Sequence, residues 1–313
     1  MKAVYTLADL QSILGDQWIV DGCPVKLAVI GCPVAHSASP AMHQSVLDEL
    51  KMPMRYVRIE VQPGQVAAAV SQMRRLGMVG CNVTVPHKKE VVEVCDELTP
   101  EASSLGVVNT VLIGKEGQEG KIIGHNTDAL GFTEAIKEVF QRELASLRVM
   151  VLGVGGGAGR AIATHCAMIG CGEIWLANRT ASRAEQLCIE LRNKYTSSTI
   201  TALSLDDPAV EEAASGAELI INATPLGMKA GDSLPMPTEF IQPHHFIYDM
   251  VYHPRCTEFI QRAAERGAST TNGLPMLLHQ GVLAFAYWFP ETARDSQAVH
   301  HITRAMREGL PQA

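Results

Sequence analysis

The run Gly80-Cys-Asn-Val-Thr-Val-Pro-His-Lys-Lys89 carries side chains able to act on a small polar ligand. It reads as a strand over 81–85, stopped by Pro86, with a helix predicted over 87–98. Asn82 and Thr84 stand two apart, so a strand presents both from one face. Lys88 would fall in the first turn of that helix, where the partial positive charge of the N-terminus disfavours a cation. An amide and a hydroxyl beside a poorly placed ammonium suit a pocket for a polyhydroxylated molecule. An ordinary strand followed by a solvated lysine fits the same residues.

Other polar groups extend the pattern. Ser37 and Ser39 precede a helix over 39–50 with Pro40 at its first position. Two hydroxyls and a helix N-terminus suit a carboxylate, although Ser39 also fits the role of a plain N-cap. Asp128 opens a long amphipathic stretch over 128–144, as an N-cap or as an acid facing a ligand. Asn109 places an amide in an otherwise apolar strand. Gln280, on the last main helix, either returns an amide to the first domain or is solvated. His36 and His43 have no third ligand at a metal-binding spacing and read as structural, and the pairs 244–245 and 300–301 read as exposed. No metal is expected.

Alternating strands and helices must position these groups. Strands are expected over 25–30, 56–61 and 81–85, with helices over 39–50, 65–76 and 87–98. A hairpin over 108–113 and 121–124, turning at 116–120, closes the first domain. The nearly continuous apolar run 148–154 then reads as a parallel strand buried on both faces, followed by strands over 173–177, 219–222 and 246–250. Strand–helix alternation of this kind predicts right-handed β-α-β units in two α/β domains. Residues 1–24 read as a leader with one short helix over 7–14.

At 313 residues the chain is long for one core, which supports two domains. A net charge of -7 argues against nucleic acid and against anionic membrane surfaces. The longest apolar stretch, 149–172, is interrupted by glycines, Arg160 and His165, so no membrane span is expected. Eight cysteines without a C-x-x-C pair, several inside apolar runs, fit free thiols in a reducing cytoplasm. The partner expected is a small molecule, with the chain acting as a monomer or homodimer.

The sequence Val151-Leu-Gly-Val-Gly-Gly-Gly-Ala-Gly-Arg-Ala161 follows one strand and opens a helix. Glycines there permit a tight turn, admit a pyrophosphate to the backbone and seat it on a helix N-terminus. Gly153, Gly155, Gly156, Gly157 and Ala158 are the candidate contacts. The next strand ends at Asn178-Arg179-Thr180, with Arg183 following, and carries no acid for a ribose 2′-hydroxyl. Guanidinium groups suit a 2′-phosphate, which favours NADP over NAD. Asn222-Ala-Thr224-Pro-Leu-Gly-Met228 ends a later strand, where a nicotinamide would lie.

Taken in order, these motifs resemble the shikimate and quinate dehydrogenase family over roughly residues 25–290. They are Ser37-Ala-Ser39-Pro40, Asn82-Val-Thr84-Val-Pro-His-Lys88, Val108-Asn109-Thr110, Asn126-Thr127-Asp128, the glycine loop, Asn178-Arg179-Thr180, Asn222 to Met228, Tyr248-Asp249-Met250-Val-Tyr252 and Gly273 to Gln280. The resemblance implies a substrate domain with a mixed sheet (1–127 plus 272–313) and an inserted Rossmann-type NADP domain (128–271). It implies NADP-dependent interconversion of shikimate and 3-dehydroshikimate, with Lys88 and Asp128 as the acid–base pair. Ser37 and Ser39 would hold the carboxylate, and Asn82, Thr84, Asn109 and Gln280 the ring hydroxyls, with Tyr252 bordering the substrate. Met250 and Gly273 would join the cofactor site. A dual-specificity quinate enzyme using NAD, or a catalytically silent ligand sensor, are the rival readings. The chain departs from the family pattern in a glycine loop one residue longer, in Val107, and in His87 where an aromatic is common.

Overall fold

The computed structural model describes residues 2–114 and 120–310, and these divide into two compact units. The first comprises residues 1–131 and 278–313, the second residues 132–277. The turn expected over 116–120 lies almost wholly outside the described residues.

In the first unit the strands are β1 (Tyr5–Thr6), β2 (Ile19–Val20), β3 (Cys23–Gly31), β4 (Arg55–Glu60), β5 (Gly80–Val83), β6 (Glu97–Leu98), β7 (Thr110–Ile113) and β8 (Ile122–His125). They form one mixed sheet in the order β1-β4-β3-β5-β7-β8-β6, with β2 pairing β3. Neighbours β1, β4, β3 and β5 run parallel, and β7 then pairs antiparallel with β5 and with β8. Helices α1 (Leu7–Ser12), α2 (Ser39–Glu49), α3 (Val66–Arg75) and α4 (Pro100–Leu105) belong to the same unit. The helix α5 (Thr127–Phe140) crosses from the first unit to the second.

Residues 2–24 are part of this fold. They supply two strands and a helix, and Leu7, Leu10, Trp18 and Val20 join the first core. A Thr6–Asp9 capping box starts α1, each side chain bonding the other's backbone N–H.

The second unit is a six-stranded, all-parallel sheet in the order β11-β10-β9-β12-β13-β14. Its strands are β9 (Val149–Leu152), β10 (Glu173–Asn178), β11 (Thr199–Ser204), β12 (Leu219–Asn222), β13 (Phe246–Asp249) and β14 (Ser269–Thr271). Between them run α6 (Gly157–Met168), α7 (Ala181–Lys194), α8 (Ala209–Gly216) and α9 (Glu258–Glu265). This doubly wound order is that of a Rossmann-type domain. All four residues of β9 are buried, with Val149 and Val151 in one core and Met150 and Leu152 in the other. Hydrophobic cores on both faces explain its unbroken apolar sequence. Strands β11 and β14 were not anticipated. Both lie at the edges of the sheet and carry polar residues among few apolar ones, and β14 has only three residues. α10 (Leu274–Trp288) returns the chain to the first unit, where α11 (Ser296–Gly309) packs on α2 through a Ser45 hydroxyl donating 2.8 Å to the Ala305 carbonyl.

Two expectations fail locally. Residues 87–98 form a turn, a 3₁₀ helix over Glu90–Val94, and β6. The cause is tertiary: Lys88 gives its carbonyl to the Val108 N–H at 2.8 Å, so Val92 bonds instead to Lys89 at 3.2 Å. The helix-dipole argument for Lys88 therefore falls away. The second failure is His245, which is buried, with Nδ1 accepting the Gln242 N–H at 2.9 Å.

Burial lowers the pKa of His245 to about 4 and that of His43 to about 3. Both rings are neutral in the fold and titrate near 6.5 once the chain unfolds. The unfolded chain then binds more protons, so this stability is complete above about pH 6.5 and declines as pH falls below it. Thermal unfolding is expected to show a lower Tm at about pH 5 than at neutral pH, and His43→Phe should lessen the difference. A Tm that rises on acidification would contradict the assignment.

Candidate active site

β5 is pinned before its functional residues begin. A side chain at Gly80 would collide with the Trp288 ring and the Val111 carbonyl, and Trp288 Nε1 donates to that carbonyl at 3.0 Å. Asn82 is buried on this strand. Its Oδ1 accepts from the Tyr56 hydroxyl at 2.7 Å, and its Nδ2 donates to Thr110 Oγ1 at 3.0 Å. Burial drives the Tyr56 phenol to a much higher pKa and keeps it a donor. His43 stacks flat on that ring at 4.7 Å between centroids. Thr84 lies just past the strand, half-buried, with its N–H on the Ile30 carbonyl at 2.9 Å.

Lys88 and Asp128 meet as an ion pair, Nζ to Oδ2 at 2.6 Å, with side chains 32% and 20% exposed. A pair in this state is screened from bulk water yet reachable. Asp128 does not cap α5. That helix starts at Thr127, and Asn126 Oδ1 accepts the Ala129 N–H at 3.2 Å, which leaves the Asp128 carboxylate for Lys88. Asn109 braces the same helix end: Oδ1 accepts the Thr127 N–H at 2.8 Å and Nδ2 donates to Thr127 Oγ1 at 2.9 Å.

Ser39 is the first residue of α2 and makes no capping bond; its own N–H lies 3.3 Å from Ser37 Oγ. The preceding turn is closed by Ser37 N–H on the Val34 carbonyl at 3.1 Å, and the helix then starts one residue too early for Ser39 to be its cap, a place taken by Ala38. Ser39 is buried and Ser37 half-buried. Arg58, absent from the sequence reading, donates from its guanidinium to the Ser37 carbonyl at 2.7 and 3.2 Å. Its position in β4 offered no signal apart from a cation among apolar neighbours. Gln280 is buried, contrary to a solvated role, and Gly131 allows the close approach: a Cβ there would sit 2.7 Å from the Gln280 N.

In the second unit, Gly153, Gly155, Gly156, Asn178, Arg179, Thr180, Arg183 and Thr224 line one cleft of about 800 Å³. Gly153 has φ of +91°, and a Cβ on it would strike the Thr224 methyl. A Cβ on Gly159 would strike the Gly153 carbonyl, whereas Gly156 has no atom closer than 3.7 Å and Gly157 none within 4 Å. Gly159 thus does what the third glycine of a G-x-G-x-x-G turn does, close strand–helix packing, one residue further along. The sequence reading had stopped at Ala158. Open glycines at the N-terminus of the twelve-residue α6 are a cradle that fits a pyrophosphate.

Asn178 is committed to the loop, accepting Gly155 N–H and donating to the Thr180 carbonyl, both at 3.0 Å. Thr224 is fixed by Asn222, whose Oδ1 accepts its hydroxyl at 2.6 Å, and Asn222 in turn donates to Asp249 at 2.9 Å. Burial raises the pKa of Asp249, and the hydroxyl of Thr257 at 2.6 Å opposes the shift. Gly157, Ala158, Met228, Met250, Gly273 and Tyr252 do not line this cleft. Met228 and Tyr252 are exposed, and Gly273 packs on the Met250 carbonyl. Asp206, which lies beyond β11, does line it.

Among the described residues no cluster of His, Cys, Asp or Glu could hold a metal ion, and no helix is long and apolar enough to cross a membrane.

Residues 29–111 match the shikimate dehydrogenase substrate binding domain, and residues 134–226 match shikimate / quinate 5-dehydrogenase. A shikimate dehydrogenase (NADP(+)) of Symbiobacterium thermophilum is 40% identical over 268 residues, 84% of this chain and 88% of that protein. The shikimate 5-dehydrogenase of Thermus thermophilus, solved with NADP(H) and shikimate, superposes with a TM-score of 0.75 at 36% identity, covering 91% of this chain and all of that one. Quinate dehydrogenase of Corynebacterium glutamicum, solved with NAD, gives a TM-score of 0.78 at 28% identity, covering 91% of this chain and 99% of that one. With both halves matched and the relatives covered almost end to end, the chain belongs to the shikimate dehydrogenase family.

Proposed function

We propose that this protein is an NADP-dependent shikimate dehydrogenase, interconverting shikimate and 3-dehydroshikimate. The observation that supports it most is the Lys88–Asp128 pair, 2.6 Å apart and partly shielded, in a unit that also presents Ser37 and Ser39. Residues 1–131 and 278–313 would carry the substrate, and residues 132–277 the cofactor.

NADP, when bound, supplies the hydride acceptor at C4 of its nicotinamide. Oxidation of the ring C3 alcohol also releases a proton, which a positioned base must take. Lys88 is assigned that role, passing the proton to or from the C3 oxygen, with Asp128 orienting its ammonium. Ser37 and Ser39 hydroxyls would receive the substrate carboxylate, with Arg58 holding the Ser37 carbonyl in place. Thr84 and Gln280 would bond ring hydroxyls. Asn82 and Asn109, both already bonded within the unit, would serve mainly to fix its geometry. Gly153, Gly155 and Gly156 would face the pyrophosphate, Arg179, Thr180 and Arg183 the 2′-phosphate, and Thr224 the nicotinamide side. All eight cysteines are unbridged, in keeping with a reducing cytoplasm.

A second reading, a dual-specificity enzyme that oxidises quinate with NAD, would look to Asp206, an acid that lines the cofactor cleft after β11. One steady-state assay crossing shikimate and quinate with NADP and NAD separates the two. A pocket lacking room for an added hydroxyl discriminates by about 10²-fold, so kcat/KM should favour shikimate by more than about ten. Ser39→Gly should narrow the ratio. Equal turnover of quinate would move the assignment to the dual-specificity branch.

A further inference from the structure

His87 precedes the candidate acid–base lysine and is fully buried, yet none of the chemistry above uses it. Both its ring nitrogens face oxygen acceptors. Nε2 lies 2.7 Å from the Val61 carbonyl, just beyond β4, and Nδ1 lies 3.1 Å from Glu90 Oε2. The other Glu90 oxygen accepts the N–H of Val66, the first residue of α3, at 3.3 Å. The ring therefore bridges the Val61 carbonyl and Glu90, with its donor and acceptor roles set by the tautomer. Glu90 is the charged group facing the ring in these contacts, and Val61 presents only its carbonyl.

The backbone on either side is equally fixed. The His87 N–H donates to the Thr84 carbonyl at 3.0 Å, and the Lys88 carbonyl accepts from Val108 at 2.8 Å. With no α-helix beneath Lys88, these bonds and the His87 ring are what set the direction in which its side chain leaves the chain. From there Nζ reaches Asp128.

We propose that His87 and Glu90 form a hydrogen-bonded clamp that positions Lys88 by tying its turn to the end of β4 and the start of α3. This rests on the reading of Lys88 as the proton-transfer residue. An error of about an ångström in placing a catalytic group can cost up to about a hundredfold in rate, so loosening a single anchor is expected to be milder.

In steady-state kinetics of the full-length protein, Glu90→Ala and His87→Phe should lower kcat about three- to tenfold with KM for NADP within about twofold. Glu90→Gln should restore kcat, because its amide oxygen can accept from Val66 while its amide nitrogen meets the His87 ring. A Glu90→Ala enzyme at the wild-type kcat would overturn it, and that variant does not depend on His87→Phe folding. Should Lys88→Ala itself remain active, the underlying assignment of Lys88 fails. Should Lys88→Ala be inactive while Glu90→Ala runs at full rate, only the clamp fails.

Discussion

Replacing Lys88 with alanine is expected to lower kcat by roughly 10²–10⁴, the usual contribution of a positioned general acid or base. The reason lies in the geometry of its ammonium, 2.6 Å from Asp128 and about one-third exposed, where it can both hold a proton and reach a ligand. KM for shikimate should move far less, since a group acting mainly in the transition state lowers kcat and kcat/KM together. The alanine variant also leaves Asp128, 20% exposed, without its cation. A partly buried unpaired carboxylate destabilises the fold, so unfolding should be followed alongside the kinetics. A variant that folds and keeps kcat within a few-fold of wild type would remove Lys88 from the chemistry.

Arg179→Ala is expected to raise KM for NADP about ten- to a hundredfold while leaving KM for NAD nearly unchanged. Losing a charge-assisted hydrogen bond costs about 1.5–3 kcal/mol, which corresponds to that range. Arg179 is exposed at the mouth of the cleft, close after β10, and Arg183 and Thr180 line the same wall. Arg183→Ala should act in the same direction more weakly, because its side chain also packs over Gly155. Equal losses for NADP and NAD would mean that Arg179 shapes the loop instead of reading the phosphate. Asp206→Ala offers a complementary measurement: if that acid serves NAD, its loss should weaken NAD and spare NADP.

Local chemistry made much of this legible before any fold was drawn. The alternation of apolar strands with helices, and the unbroken apolar run through β9, determined two α/β domains, because a parallel strand buried on both faces leaves no other pattern. Glycines between a strand and a helix, followed by Arg179 and Arg183, likewise led to the expectation of a dinucleotide loop that takes NADP. These signals rest on backbone conformation and charge, which act over a few residues.

What the sequence alone left undecided depended on partners distant in the chain. Ser39 and Asp128 each fitted an N-cap as well as a site residue. The turn before α2 and Asn126, which caps α5 in place of Asp128, exclude the cap in each case. Gln280 is buried because Gly131 lets its helix approach. The expected helix at Lys88 gave way because Val108, twenty residues on, claimed a carbonyl that an α-helix would need. Asn109, a plausible ligand by type, proved to be bonded to Thr127. Burial and hydrogen-bond partners are properties of the assembled core, and no residue's own identity specifies which distant N–H or carbonyl will reach it first.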